Sequence, residues 1–186
     1  MVTTDFILQE QERGIGGRGT IIQLNESKFG KRKFNRGRRI EGHWVLGAIE
    51  NGSEDFRLIV CHDNLRDANT LLPIIQEHIE IGSEIHTDAW RAYSQLSSCG
   101  YIHKVVNHSD PHNRFIAADG THTQRVESSW RSAKDWFRSR HVPSDVFADV
   151  LVEYQWRRWC RKNELDTFHQ LISAILREYG HEETQD

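Results

Sequence analysis

The 186-residue sequence lacks any apolar run near the roughly 18 residues that a membrane-spanning helix needs, so we predict no membrane span. Cysteine is also scarce: Cys61, Cys99 and Cys160 lie far apart, with neither CxxC nor zinc-finger spacing. This spacing argues against a disulfide framework and a zinc site, and it favours structural thiols in a reducing compartment. The first residues include acids and lack both a basic start and a long apolar stretch, so we expect no secretory signal.

Net positive charge is missing as well. The chain has 24 lysines and arginines against 27 acids, a formal balance of -3. Because nucleic-acid-binding domains are typically strongly basic, the total alone argues against nucleic acid as a partner. The distribution of charge argues the other way, because one stretch concentrates basic residues between phenylalanines and glycines.

This stretch, KFGKRKFNRGRR at residues 28–39, is called the basic segment below. Lysines and arginines interleaved with aromatic residues and glycines suit binding to a phosphate backbone. A nuclear-localisation patch or a solvated turn is the alternative interpretation. The predicted DNA-binding residues in the segment are Lys28, Lys31, Arg32, Lys33, Arg36, Arg38 and Arg39.

Apolar runs and amphipathic stretches alternate along the chain, which predicts an α/β fold with a mixed central sheet, flanking helices and extra helices at the C-terminal end. Strands are predicted at TIIQL, which should end at Asn25, and at EIHTD and IHKVV. The apolar runs HWVLGAIENG and FRLIVCHD, separated by Asn51-Gly52 and the three residues after it, predict a hairpin. Helices are predicted at 67–79, at WRAYSQL, and over 123–137, 144–161 and 165–179. Pro73 suggests a first-turn proline or a late start in the first of these helices.

The predicted domain organisation is simple. Residues 1–18 are interpreted as a flexible lead-in, residues 19–180 as one domain and residues 181–186 as a disordered tail. The polar stretch from 107 to 121 is long for a structureless connection, and loops of that length often carry function.

Two acidic residues stand where a metal site could form. Asp88 ends the strand EIHT, at the edge of the sheet where open α/β sheets bind their ligands, although Asp is also a good helix N-cap. Glu127 lies on the helix in HTQRVESSWRSAK, with Lys134 two turns later on the same face. Such a carboxylate and lysine could grip adjacent phosphates, and an ordinary solvated helix face is the alternative.

Further basic residues surround these acids. Arg125 and Arg131 add positive charge and are candidate DNA contacts, or simply surface residues. The histidines near the long loop match no standard zinc spacing. Of these, His122 is predicted to position the catalytic loop or to contact DNA.

Three stretches in order resemble DDE transposase catalytic domains of the Merlin type and the related bacterial insertion-sequence transposases. They are LNESKFGKRKFNRGRRIEGHWVLGAIE, IHTDAWRAYSQL and HTQRVESSWRSAK, within a match from about residue 20 to about residue 161. The resemblance implies an RNase H-like fold, two Mg²⁺ or Mn²⁺ ions, and DNA cleavage followed by strand transfer. It also implies transposon ends and target DNA as partners, a homo-oligomer, and neither a membrane nor a small-molecule substrate.

Carried over by position, the resemblance makes Asp88 the second catalytic acid, Glu127 the third, and Lys134 the lysine that follows it. The first acid should stand at position 25, where this chain has Asn25. An amide oxygen can coordinate Mg²⁺ but brings no charge, so we expect Asn25, Asp88 and Glu127 to form an impaired metal site. Glu26 should not replace the missing acid, because successive strand residues point to opposite faces.

This substitution leaves three explanations: a decayed copy, a domesticated DNA-binding or interaction protein without transposition, or an engineered inactive variant. The expected location is intracellular, in the nucleus of a eukaryote or the cytoplasm or nucleoid of a bacterium. We expect a module that recognises terminal repeats to be absent or supplied by another chain.

Overall fold

The computed structural model describes residues 14–30, 42–53, 55–112, 114–140 and 142–179. Of the basic segment, only Lys28 and its neighbours up to residue 30 belong to this part, and the other six predicted DNA-binding residues of the segment lie outside it. The chain divides into two compact units. Gly14–Arg138 is called the sheet unit below, and the described residues from Ser139 onward are called the helical unit.

The sheet unit is built on a five-stranded mixed sheet. Its strands are β2 (Ile21–Phe29), β3 (His43–Glu50), β4 (Phe56–Val60), β6 (Glu84–Asp88) and β7 (Ile102–Val106), in the order β4-β3-β2-β6-β7. The first three strands run antiparallel to one another, whereas β6 runs parallel to both β2 and β7. Two short strands, β1 (Ile15–Gly16) and β5 (Ile79–Glu80), form a separate parallel pair.

Helix α1 (Ala68–His78) connects the hairpin to the parallel half of the sheet, and α2 (Gln124–Arg138) follows β7 after the long loop. A central mixed sheet with helices on its faces confirms the predicted α/β fold class. Asp67 caps α1, accepting a hydrogen bond from the Thr70 N–H at 3.0 Å.

Three local predictions differ from the structure. WRAYSQL forms no regular helix but short 3₁₀ turns at Arg91–Tyr93 and Leu96–Cys99, because these turns suffice to bury Tyr93 and Leu96 between two closely connected strands. Strand β2 continues past Asn25 to Phe29, since it pairs with β3 along that whole length. Pro73 lies in the second turn of α1, at an exposed position where its missing N–H is tolerated.

The core of the sheet unit lies on the face that carries α1. Ile22 and Leu24 of β2 pack there with Leu71 and Ile75 of the helix, and all four are completely buried. Helix α2 covers the opposite face with Val126, Trp130 and Ala133, all of them buried. Both faces of β2 are therefore covered, and its polar residues lie between packed layers.

The helical unit contains α3 (Phe147–Lys162) and α4 (Thr167–Tyr179). Trp156 and Cys160 are buried in its small core, against partly buried residues that include Leu171. Apolar side chains at helical spacing on α4 remain exposed, namely Phe168, Ile172, Leu176 and Tyr179. In the described part of the chain, no helix combines the length and apolar character needed to cross a membrane.

Candidate active site at the end of the parallel strands

Strand β2 presents Asn25 and Glu26 to opposite faces of the sheet, as strand alternation requires. Asn25 faces α2, where its Oδ1 accepts a hydrogen bond from Trp130 Nε1 at 3.0 Å. Glu26 faces the other way and is almost completely buried, with Arg66 Nη1 4.0 Å from its Oε2. The amide at position 25 is thus the group that β2 offers to the α2 side.

Aromatic packing holds Trp130 above Asn25, and a glycine on the neighbouring strand leaves room for its ring. Its ring makes edge contacts with Phe29 and Phe56, at centroid distances of 5.9 and 6.0 Å. Gly47 pairs with Asn25 across the β2–β3 ladder, and a Cβ atom there would lie 2.6 Å from Trp130 Cζ2. Only glycine leaves room for the indole at this position.

Asp88 is the last residue of β6. The β2–β6 pairing ends at Gln23 opposite His86, so Asn25 and Asp88 each lie two residues further along adjacent parallel strands. Asp88 Oδ1 accepts the backbone N–H of Trp90 at 3.0 Å, which turns the chain after the strand. Asp88 therefore caps this turn and not a regular helix.

Glu127 lies in the first turn of α2, and Gln23 holds that turn over β2. The completely buried Gln23 side chain accepts hydrogen bonds at Oε1 from the N–H groups of Arg125 and Val126, at 3.0 and 3.3 Å. Glu127 itself stays 40% exposed, and its Oε1 accepts the Thr123 hydroxyl at 2.6 Å. A carboxylate with this exposure is accessible to a cation or to substrate.

The histidines beside α2 have structural contacts. His108 Nε2 lies 3.5 Å from Glu127 Oε1. Because Gln23 Oε1 already accepts from the backbone, its Nε2 must donate to His122 Nδ1 at 3.2 Å, which requires that ring nitrogen to be unprotonated. Burial lowers the pKa of His122, and the nearby His86 and Arg125 lower it further, in agreement with this role.

Electrostatics link the two faces of the sheet at this end. Burial raises the pKa of Glu26, the neighbouring Tyr93 hydroxyl lowers it in part, and the charge of Asp88 raises it again. The same burial and the charge of Glu26 hold the pKa of Tyr93 well above its ordinary value. A negative charge at Asp88 therefore raises the pKa of the buried Glu26 on the other face of the sheet.

The predicted basic contacts are spread over α2 and β2. Lys134 Nζ lies 6.0 Å over the Phe29 ring, and Lys28 Nζ lies 5.6 Å from the centroid of Trp44. Arg125 and Arg131 are exposed on α2, and Arg125 lines a shallow cavity of about 380 Å³ that also includes His122. Glu127 and Lys134 are seven residues apart and share a face of α2 by helical geometry.

The residues expected to bind metal supply oxygen ligands of the kind that Mg²⁺ takes, namely two carboxylates and one amide. Asn25 and Asp88 lie at corresponding positions of the adjacent parallel strands β2 and β6, and Gln23 fixes the start of the helix that carries Glu127. Across the described residues, no group of three or more histidines, cysteines and acids is arranged to hold a metal ion. The amide at position 25 leaves only two acids in the expected set of three.

Sequence reasoning did not identify several residues that shape this site. Gln23, a polar residue inside the apolar run TIIQL, carried a usable signal, because a buried amide must find hydrogen-bond partners. Arg66, which contacts the rings of both Trp44 and Trp90, carried no such signal in the sequence.

Comparison with known proteins gives consistent matches. The family model described as ISXO2-like transposase domain matches residues 12–158. A Haemophilus influenzae protein described as an uncharacterized transposase-like protein is 30% identical over 110 residues, which cover 58% of this chain and 86% of that protein.

Two solved structures are similar at lower identity. The simian T-cell lymphotropic virus intasome in complex with PP2A regulatory subunit B56 gamma aligns with TM-score 0.46 and 16% identity over 80% of this chain and 51% of that chain. The HTLV-2 integrase catalytic core domain in complex with magnesium aligns with TM-score 0.45 and 13% identity, over 80% of this chain and 88% of that chain. This chain thus spans about half the length of the matched intasome chain.

Proposed function

Because this chain belongs to the ISXO2-like transposase domain family, we propose that it is a DDE-type catalytic domain for metal-dependent DNA cleavage and strand transfer, impaired by Asn25. The observation that supports this proposal is the placement of Asn25 and Asp88 at corresponding positions of adjacent parallel strands. The hydrogen bonds from Gln23 to the start of α2 add Glu127 to the same set.

In this mechanism Asp88 and Glu127 would hold Mg²⁺ or Mn²⁺, with the Asn25 amide oxygen as a weaker third ligand. Bound divalent ions would lower the pKa of an attacking water and stabilise the leaving 3′ oxygen. Asn25 contributes no charge, and one lone pair of its oxygen already accepts the Trp130 N–H. An aspartate could keep that hydrogen bond and add the missing charge.

The substrate in this proposal is DNA, both transposon ends and target. Lys28, Lys134, Arg125 and Arg131, together with the rest of the basic segment, would neutralise backbone phosphates on either side of the reacting one. His122 would act by fixing Gln23 and therefore the start of α2, and it lines the same cavity as Arg125, where DNA could contact it.

Restoring the acid at position 25 tests the proposal. We expect Asn25→Asp to raise Mg²⁺- or Mn²⁺-dependent nicking of supercoiled plasmid at least about tenfold, because loss of even an outer-shell partner of a metal ligand typically costs about ten- to 100-fold. The control is Asn69→Asp, which adds the same charge at an exposed position in the first turn of α1, on the other face of the sheet. The active-site assignment is wrong if Asn25→Asp gives no gain and Asp88→Ala changes nothing.

A second candidate function is a domesticated protein that binds DNA without cutting it. The uncharged amide at position 25, already engaged by Trp130, favours this candidate. It predicts salt-sensitive DNA binding that requires the basic segment but neither Mg²⁺ nor Asp88. Electrophoretic mobility shifts with and without EDTA distinguish the two functions, and binding that survives charge reversal of the basic segment contradicts both.

We also propose that the chain works as a homo-oligomer. The exposed apolar side chains of α4 support this, because four of them recur at helical spacing. Sedimentation of the intact chain should give a mass above that of one copy, and Phe168→Glu with Leu176→Glu should lower it. An unchanged mass in this double variant would exclude α4 from the interface.

A further inference from the structure

Trp90 is a large, exposed aromatic residue next to the candidate catalytic acid. It lies two residues after Asp88, and its backbone N–H donates to Asp88 Oδ1 at 3.0 Å. The residue is 41% exposed, whereas half of the aromatic side chains described in the sheet unit are buried. We propose that the open side of the Trp90 ring stacks on an unpaired DNA base next to the phosphate that Asp88 would serve.

The orientation of this ring is fixed from behind. Trp90 Nε1 donates to the backbone oxygen of Arg66 at 3.3 Å, and the Arg66 guanidinium lies 4.5 Å from the centroid of the same ring. The guanidinium also lies 4.3 Å from the centroid of Trp44, on the neighbouring strand β3. Arg66 therefore joins the exposed ring to one that belongs to the sheet.

A buried charge holds Arg66 in turn. Glu26 Oε2 lies 4.0 Å from Arg66 Nη1, and the Glu26 side chain is only 3% exposed. If Arg66 left this position, the Glu26 carboxylate would remain buried without an ionic partner, which costs free energy. The series Glu26, Arg66 and Trp90 thus presents a preorganised aromatic surface beside Asp88.

The chemistry of this surface matches a nucleotide. An aromatic face stacks with any base, and the adjacent cations Arg66 and Lys28 attract the phosphates that accompany it. Proteins that bind single-stranded nucleic acid stack successive bases on aromatic side chains, so an unpaired base next to the reacting phosphate is the expected occupant. This inference rests on the proposed function for the choice of DNA as the polymer and for the role of Asp88.

The test uses the intact chain and short duplexes that carry 2-aminopurine either in a single-base overhang or inside a paired stretch. In EDTA, binding should quench the overhang probe, and Trp90→Ala should abolish the quench and weaken binding about five- to 100-fold. Trp90→Phe should retain much of both effects. Ile81→Ala removes an apolar side chain that is 70% exposed and lies just before β6, at the opposite end of that strand from Asp88, and it should change neither.

Each outcome decides the matter. The proposal is overturned if folded Trp90→Ala quenches and binds as the parent does, if Trp90→Phe behaves like Trp90→Ala, or if the chain binds no DNA. Circular dichroism confirms folding of the variants. Quenching that depends on Trp90 without nicking by Asn25→Asp supports the stacking site and contradicts only the enzymatic function. Nicking without that quenching contradicts only the stacking site.

Discussion

At the residue scale, the contact between Asn25 and Trp130 couples the candidate site to the packing of α2, and Gly47 makes that contact possible. We predict that Gly47→Ala lowers the free energy of unfolding by about 1–3 kcal/mol, because its Cβ would lie 2.6 Å from Trp130 Cζ2. Urea unfolding measures this change. The same substitution in a Trp130→Phe background should cost clearly less, since the atoms that clash are gone. Equal costs in both backgrounds would contradict the steric explanation.

The cysteines give a second prediction at this scale. Burial and the nearby charge of Glu26 raise the pKa of Cys61 to about 11, and the residue is only 2% exposed. Because the thiolate is the reactive form, Cys61 should resist a thiol reagent in the native protein at neutral pH. Cys160 is also buried, with a raised pKa, whereas Cys99 is half-buried. Mass spectrometry after brief labelling should find Cys99 modified first. Rapid labelling of Cys61 would contradict its buried position after β4.

Single residues also show how far the sequence could lead. Asp88 and Glu127 were predicted from motifs, because a carboxylate at a strand end and one on a following helix leave a recognisable spacing. Their catalytic roles stay predictions. The stack of Trp44, Arg66 and Trp90 was not predictable, because it joins β3, a loop and the end of β6. Contacts between residues so far apart in sequence depend on tertiary packing, which local patterns do not encode.

At the element scale, α2 depends on a capping group supplied by a strand. Gln23 satisfies two N–H groups in the first turn of the helix, where such groups have no partner inside the helix. We predict that Gln23→Leu lowers the free energy of unfolding by about 1–3 kcal/mol, because it leaves buried donors unsatisfied. Hydrogen exchange should show lost protection at Arg125 and Val126 in particular.

The matched control for Gln23→Leu is Asp67→Ala, which removes the cap of α1. It should destabilise the protein by about 1 kcal/mol and leave exchange at the start of α2 unchanged. If both variants have the same exchange pattern at α2, the strand-to-helix contact does not hold the helix that carries Glu127.

Elements differ in how well the sequence predicts them. The hairpin was predictable because Asn51-Gly52 separates two apolar runs, and both strands form as expected. The extension of β2 beyond Asn25 was not, since polar residues there resemble a loop until β3 pairs with them. The stretch after Asp88 has helical spacing yet forms 3₁₀ turns, because the short connection between β6 and β7 limits its length.

At the scale of the whole molecule, total charge was the least informative quantity. The formal charge of -3 averages the basic segment with acids elsewhere, including the two predicted metal ligands. The mixed sheet could be predicted, because strands and helices alternate in order along the chain. The division into two units could not, because the helices from 124 onward follow one another without a change in composition.

Three half-buried histidines of the sheet unit make its stability sensitive to acid. Burial lowers the pKa of His78, His103 and His122 below the ordinary value of 6.5. At pH values between 6.5 and the lowered pKa, these histidines bind protons in the unfolded chain but not in the folded protein. Stability contributed by these groups is therefore present above pH 6.5 and is lost as the pH falls through that window. The lowered pKa values of Glu84 and Asp119 reduce stability only below pH 4.5 and pH 3.8, respectively. The raised pKa of Glu26 has the opposite effect to the histidines above pH 4.5, because the folded protein binds that proton more readily than the unfolded chain does.

His103 allows this effect to be tested without loss of its hydrogen bond. Thr87 Oγ1 donates to the backbone oxygen of Asp88, so His103 Nε2 must donate to Thr87, and a glutamine amide can do the same. Urea unfolding between about pH 7.5 and about pH 5.5 should show stability falling with acidity, and less steeply in His103→Gln. The exposed control His62→Gln should keep the parent slope. If His103→Gln falls as steeply as the parent, burial of His103 is not what makes folding sensitive to acid.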